Sequence, residues 1–240
     1  MSKETYFDTG INILVLGATG NGKTSSLSTL EPSETVIFTP KFKSLPFPKW
    51  KPHWELYDKL GGKAPDTKKG LIVVCKDFDF FLKAINSMLS AKNRFKNIIV
   101  DDFQYLITKN VFGRAEEKSF EKWIELARDI YNSLELITNK CSATGKRLAI
   151  LWHSNNDTNT EARGTRVMTS SKWIDEVFKV EGIFTYVIEA EKRDGKYGFV
   201  TNDCNNNNAG VKTPLGCFEE EFIPNDMKLV FDTIDKYENE

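Results

Sequence analysis

The segment from Ile11 to Thr24 constrains this chain more than any other. Ile11–Leu16 (INILVL) is a compact apolar run ending at Gly17, and it reads as a buried β-strand. Gly17-Ala18-Thr19-Gly20-Asn21-Gly22-Lys23-Thr24 follows without a break and matches G-x-x-x-x-G-K-[ST] in full. Glycines at these positions let successive backbone N–H groups turn inward around an anion. A helix opening at the loop's end adds its positive pole. Lys23–Leu30 is expected to be that helix, stopped before Pro32. A strand, a glycine loop and a helix in this order belong in a parallel sheet covered by helices.

The rest of the chain supplies such a sheet. Thr35–Phe38, Leu71–Cys75, Asn97–Val100 and Arg147–Trp152 are short apolar runs with strand character. Between them, Asp79–Ala91 and Arg114–Asn139 carry helical periodicity. In the longer one, Phe120, Trp123, Ile124, Ala127, Tyr131 and Leu134 form one apolar stripe. Ile183–Glu191 and Tyr197–Thr201 flank Asp194-Gly195-Lys196, an Asp-Gly turn that predicts a hairpin. Asn225 is expected to cap a last helix that turns Met227, Val230, Phe231, Ile234 and Tyr237 inward. The expected fold is α/β, one domain over residues 1–240, with a mostly parallel central sheet and a C-terminal β-hairpin. No internal repeat or interdomain linker interrupts it.

Charge and cysteine usage exclude several function classes. Lys+Arg number 33 and Asp+Glu 34, a net charge of −1, so any nucleic-acid contact must come from a local patch. The longest unbroken apolar runs, Leu71–Cys75 and Leu148–Trp152, are far shorter than the roughly 20 residues a membrane span needs. The opening MSKETYFDTG lacks an apolar signal region, so a cytoplasmic protein without a membrane partner is expected. Cys75, Cys141, Cys204 and Cys217 contain no C-x-x-C pair, and His53 and His153 are the only histidines. A Cys/His zinc site is therefore not expected. Cys75, inside an apolar run, reads as a small buried hydrophobe.

The glycine loop implies a nucleotide. Lys23 is expected to reach the β- and γ-phosphates of ATP and to be solvated when no nucleotide is bound. The Thr24 hydroxyl is expected to take a place on Mg²⁺, and the backbone from Gly17 through Ser25 to form the cradle. In Asn97-Ile98-Ile99-Val100-Asp101-Asp102, Asp101 lies 78 residues beyond Lys23. An apolar strand ending in an acid is the Walker B pattern, which assigns Asp101 to the Mg²⁺ water shell. Asp102 stands where a longer acid often polarises the attacking water, and Asp77, after the third strand, competes for that role. His153 ends LAILWHS, where parallel-sheet NTPases often place a polar sensor of the γ-phosphate. The alternative for His153 is a hydrogen-bonded structural residue. Gln104 is a further candidate for orienting water.

Three stretches resist the strand and helix pattern. Residues 40–65 hold five of the eight prolines with Phe42, Phe47, Trp50, Trp54 and Tyr57. They also carry Lys41, Lys43, Lys49, Lys51, Lys59 and Lys63 against Glu55 and Asp58. Lysines interleaved with aromatics suit single-stranded nucleic acid, and they equally suit a surface loop whose rings pin it to the domain. Residues 154–172, with Arg163, Arg166 and Lys172, read as a DNA-ordered loop or a plain surface loop. Asp203–Gly210 contains four consecutive asparagines.

GATGNGKT, NIIVDDFQYL, LAILWHS and KWIDEVFKVEGIFTYVIEAEKRDGKYGFVTN together resemble the AAA/RecA-like ATP-binding proteins of bacteriophage recombination modules. Sak-type single-strand annealing proteins are among them. The resemblance runs from the phosphate loop to the final IPNDMKLV. It implies a RecA-like P-loop core and a DNA-linked ATPase acting on single-stranded DNA. A single-strand-binding protein as partner, a homo-oligomeric ring or filament, and a place in the host-cell cytoplasm are implied as well. RecA-like ATPases also carry basic residues near the hairpin that touch a neighbour's γ-phosphate, and Lys192 and Arg193 occupy a comparable place. Two other readings stay open: an ATP-gated adaptor or loader with little hydrolysis, and a small-molecule kinase with Arg163 and Arg166 in a lid.

Overall fold

Apolar runs too short to cross a membrane become strands buried on both faces. The structure is a computed structural model that describes residues 10–117, 121–156, 165–167, 179–202 and 210–240. In chain order it forms β1 (Ile11–Leu16), β2 (Thr35–Thr39), β3 (Trp54–Leu56), β4 (Gly70–Val74) and helix α1 (Phe78–Met88). β5 (Asn97–Val100), α2 (Phe103–Gly113), α3 (Glu121–Ala143) and β6 (Arg147–Leu151) follow. β7 (Ser154–Asn156) and β8 (Thr165–Val167) pair as a separate ribbon. β9 (Tyr186–Arg193), β10 (Lys196–Val200), β11 (Phe222–Pro224) and α4 (Met227–Glu238) complete it.

Nine strands make one sheet in the order β11-β10-β9-β1-β6-β5-β2-β4-β3. From β9 to β3 all neighbours are parallel, and β10 and β11 add an antiparallel edge. The α/β class, the mostly parallel sheet and the C-terminal hairpin are as expected. β6 separates β1 from β5, as a RecA-like core requires. Side chains alternate between two covered faces. Leu14, Leu16, Phe38, Val100 and Ile150 pack toward α1, α2 and α3. Ile13, Val15, Ile37, Ile99 and Leu151 pack toward α4 and the segment after the glycine loop. At the hairpin tip Asp194 (φ 50°) and Gly195 (φ 80°) take the paired positive-φ conformation of a type I′ turn.

Four local expectations need correction. Thr24–Thr29 is a 3₁₀ helix rather than an α-helix from Lys23 to Leu30. Its sequence, TSSLST, bonds to its own backbone: Ser26 Oγ donates to the Lys23 carbonyl at 2.6 Å and Thr29 Oγ1 to that of Ser26 at 3.1 Å. Residues 114–117 form a turn after α2 rather than the start of the long helix, which is described from Glu121, and α2, directly after Asp102, was not foreseen. On α3 the buried face is Leu126, Ala127, Ile130, Leu134, Ile137 and Cys141. Ile124 is 54% exposed, Tyr131 is exposed, and Phe120 lies outside the described residues. The stripe read from the sequence followed the largest side chains and rotated the helix by part of a turn. The last helix is capped by Asp226, whose Oδ1 accepts from the Leu229 N–H at 2.9 Å, and not by Asn225. Tyr237 lies at its exposed margin.

The corrected face of α3 is testable by unfolding. Leu134→Ala, which empties a fully buried position, should cost about 2–5 kcal/mol in urea denaturation. Ile124→Ala should cost less than about 1 kcal/mol. Comparable losses at both positions would restore the original stripe.

Candidate functional site

The carboxyl ends of β1, β6, β5 and β2 open on one cavity of about 520 Å³, where ligands of open α/β sheets bind. Thr19, Gly22, Lys23, Thr24, Asp101, Asp102, Lys43 and His153 line it. Gly17 leaves β1 so close to β9 that a Cβ there would lie 2.7 Å from the Ala190 carbonyl oxygen. Gly22, at φ 92°, holds a backbone conformation that side chains rarely adopt, and a Cβ there would press on Tyr197 and Asn225 at 3.1–3.2 Å. The close approach at Gly17 and the positive φ at Gly22 explain why the loop favours glycine at its ends.

Lys23 is only 5% exposed. Its Nζ donates to the carbonyls of Gly17 at 2.5 Å and Ala18 at 3.1 Å, and so it is not the solvated group expected from the sequence. Inward-facing carbonyls of the loop itself accept it. Burial lowers its pKa to about 8 against the opposing pull of Asp102, Asp101 and Glu189. The Thr24 hydroxyl donates to Asp101 at 3.1 Å (Oδ1) and 3.2 Å (Oδ2), joining residues 77 apart in the chain. Burial, with the adjacent Asp102 charge, pushes the Asp101 carboxyl up to about 6, while the Thr24 bond opposes the shift.

Asp102 holds a left-handed backbone at φ 62°, which costs a non-glycine residue on the order of 1 kcal/mol. Its Oδ2 accepts from Lys43 Nζ at 2.6 Å and its Oδ1 faces His153 Nε2 at 3.1 Å. Burial would raise this carboxyl, but hydrogen bonds from His153 and Lys43 prevail and hold it at about 2. With Nε2–H given to Asp102, His153 Nδ1 is left as the acceptor facing Thr19 Oγ1 at 3.4 Å and Lys23 Nζ at 3.5 Å. The result is a continuous polar chain, Lys43–Asp102–His153–Lys23. Gln104, buried behind it, accepts from the His153 backbone N–H at 3.4 Å through Oε1.

The other sequence candidates lie elsewhere. Asp77 caps α1 by accepting from the Phe80 N–H at 2.7 Å, two strands away from β5. Arg193 pairs within its own chain, Nε to Glu191 at 2.7 Å and Nη1 to Glu221 at 3.3 Å. Lys192 lies 5.0 Å over the ring of Tyr197, which lines the cavity. In residues 40–65, Leu45 and Trp54 are buried and Phe47 and Trp50 pack beside them, so several of these rings do pin the segment. Phe42 and Tyr57 remain exposed. Arg166 falls within β8, whereas Arg163, Lys172 and the four asparagines lie outside the described residues. Lys43 is the site residue the sequence reading missed as such, having grouped it with nucleic-acid-facing lysines. Its place at Asp102 depends on β2 lying beside β5, and no spacing signal announces that pairing.

Among the described residues no cluster of three or more His, Cys, Asp or Glu side chains forms a ready metal cage. A cation at Thr24 and Asp101 would take its remaining oxygens from phosphate and water, the donor set Mg²⁺ prefers. No helix among the described residues is long and apolar enough to cross a membrane.

The sheet order, the glycine loop and the strand-end carboxylate together define an α/β fold with a mostly parallel sheet of the RecA-like kind. No protein-family model and no curated protein matches the chain. Among solved structures it is similar to the crystal structure of the RadB recombinase, with 15% identity, 81% of each chain covered and a TM-score of 0.48. That likeness is too distant to carry a functional conclusion.

The raised Asp101 pKa has a measurable consequence. A carboxyl that ionises later in the folded state contributes stability fully present below its unfolded pKa near 3.8. That stability is lost as pH rises through about 6. Asp101→Asn should remove this fall, leaving the ligand-free protein more stable than wild type at pH 7 by on the order of 1–3 kcal/mol. Thermal melts of both proteins from pH 4 to 8 check it, and parallel curves would show that Asp101 ionises normally.

Proposed function

We propose that the chain is a single P-loop domain that binds ATP·Mg²⁺ and hydrolyses it while acting on single-stranded DNA. The observation that carries the nucleotide reading is the Thr24–Asp101 hydrogen bond. It joins the last residue of the phosphate loop to the first acid after β5, the two groups that would hold Mg²⁺. Bound there, Mg²⁺ supplies charge neutralisation to the phosphates. Lys23 exchanges the carbonyls of Gly17 and Ala18 for phosphate oxygens. The backbone from Gly17 to Ser25 orients the nucleotide, Asp102 orients the attacking water, and His153 couples that carboxylate to Lys23.

The DNA-directed part of the reading rests on the resemblance to phage recombination ATPases, including the Sak-type annealing group. Lys49 and Lys51 beside Trp50 supply a local basic, aromatic patch for the strand. A single-strand-binding protein as partner, a host-cell cytoplasmic setting and a ring or filament of identical subunits follow from the same resemblance. A second reading, an ATP-gated adaptor with little turnover, is favoured by one observation. Both oxygens of Asp102 are engaged and its pKa is near 2, which makes it a poor proton acceptor.

ATP binding and turnover, with and without single-stranded DNA, decide among these. Lys23→Ala should weaken ATP binding by at least about tenfold, the loss of one charge-assisted contact. Binding equal to wild type would end the nucleotide reading. Wild-type turnover should rise with single-stranded DNA, whereas tight binding with negligible turnover in either condition would establish the adaptor.

In the oligomer, Lys192 and Arg193 would complete a neighbour's site, releasing the intrachain partners they hold here. Mixing Lys23→Ala subunits with Lys192→Ala/Arg193→Ala subunits should then restore turnover that neither preparation shows alone. Normal hydrolysis by the Lys192→Ala/Arg193→Ala protein would rule the contact out.

A further inference from the structure

We propose that Lys43 is a second phosphate-binding lysine, supplied by the segment after β2, which trades the Asp102 carboxylate for the terminal phosphate of a nucleoside triphosphate. This rests on the nucleotide reading above and extends it to a residue outside the phosphate loop. β2 pairs with β5 through Phe38 and Val100, so the chain leaving β2 passes directly beside Asp101 and Asp102. Its backbone is fixed on both sides of Lys43. Thr39 Oγ1 donates to the Lys41 carbonyl at 3.0 Å, and Lys109 Nζ, from α2, to that of Pro40 at 2.6 Å. Beyond Lys43, Leu45 is buried and Phe47 packs against the core. The side chain itself is 62% exposed.

Charge balance around the cavity gives Lys43 its task. Lys23 and Lys43 face Asp101 and Asp102 across the same space, two positive groups against two negative ones. A triphosphate adds about four negative charges and Mg²⁺ returns two, so the terminal phosphate approaches Asp102 with a surplus of negative charge. Lys43 is the cation placed between them. Its present ion pair has one mostly exposed partner, which water can take over when the pair separates. Giving it up leaves Asp102 with one partner, because His153 Nε2 still holds its other oxygen. The exchange also frees Oδ2 toward the cavity, where it becomes available to a water. A nucleoside diphosphate lacks the group that draws Lys43 away, so the contact distinguishes the two nucleotides.

Equilibrium binding of a non-hydrolysable ATP analogue and of ADP, each with Mg²⁺, tests this on wild type, Lys43→Met, Lys43→Arg and Lys43→Met/Asp102→Asn. Lys43→Met should weaken the analogue about tenfold or more and change ADP by less than about twofold, as expected for one charged hydrogen bond. Lys43→Arg should recover most of the loss. The double variant should stay as weak for the analogue as Lys43→Met. An equal change for both nucleotides would overturn the proposal. So would recovery of wild-type preference in the double variant, which would mean that Lys43 only screens Asp102. Wild type binding neither nucleotide would remove the nucleotide reading itself, an outcome distinct from loss of discrimination alone.

Discussion

Two carboxylates on consecutive residues at the end of a buried strand repel one another, and the cavity is arranged around that repulsion. Asp101 and Asp102 resolve it by dividing their partners. Asp101 receives only a neutral hydroxyl from Thr24, which does not offset its burial and the adjacent Asp102 charge, and its pKa rises to about 6. Asp102 receives Lys43 and His153, and its pKa falls to about 2. The left-handed backbone at Asp102 accompanies this division by turning two neighbouring acids onto different partners. Stability near neutral pH is given up at Asp101, while Asp102 stays ionised.

The sheet makes the division possible. Four strands that are far apart in sequence end at one edge in the order β1, β6, β5, β2. Each delivers one component: the phosphate loop, His153, the acid pair and Lys43. The parallel register aligns Val15 with Leu151 and Val100 with Ile150, so the chain ends emerge at the same level. Because every strand here is buried on both faces, a slip by one residue would exchange its two core faces and move its terminal polar residue out of reach.

This division also explains what could be read without coordinates. The strands were legible because burial on both faces leaves continuous apolar runs, and β1 and β5 coincide with the expected segments. The glycine loop was legible because close backbone approach admits only one residue type. Helix faces were less so. On α3, Ile124 and Tyr131 drew the stripe by their size, whereas Ile130, Ile137 and Cys141 fill the core beside the expected Ala127 and Leu134. Thr24–Thr29 obeyed its serines and threonines rather than the helix that usually follows such a loop. Lys43 was illegible as a site residue because its partner is 59 positions away and its neighbours are prolines and aromatics with a bland role of their own.

Lys23 and Lys43 are the same residue type in one cavity, but their surroundings make them unlike. Lys23 is buried against carbonyls and its pKa falls to about 8, so at mildly alkaline pH an appreciable fraction is neutral. Lys43 is exposed and tied to a carboxylate through a hydrogen bond that raises its pKa, so it stays charged throughout that range. A buried lysine is held in place but its charge depends on what it faces; an exposed one keeps its charge but is held only by its partner. Under the proposed nucleotide reading, anionic phosphate would supply Lys23 with the countercharge that burial denies it and would draw Lys43 from its carboxylate partner. The fixed lysine would then set where a phosphate chain lies, and the movable one would respond to how long that chain is.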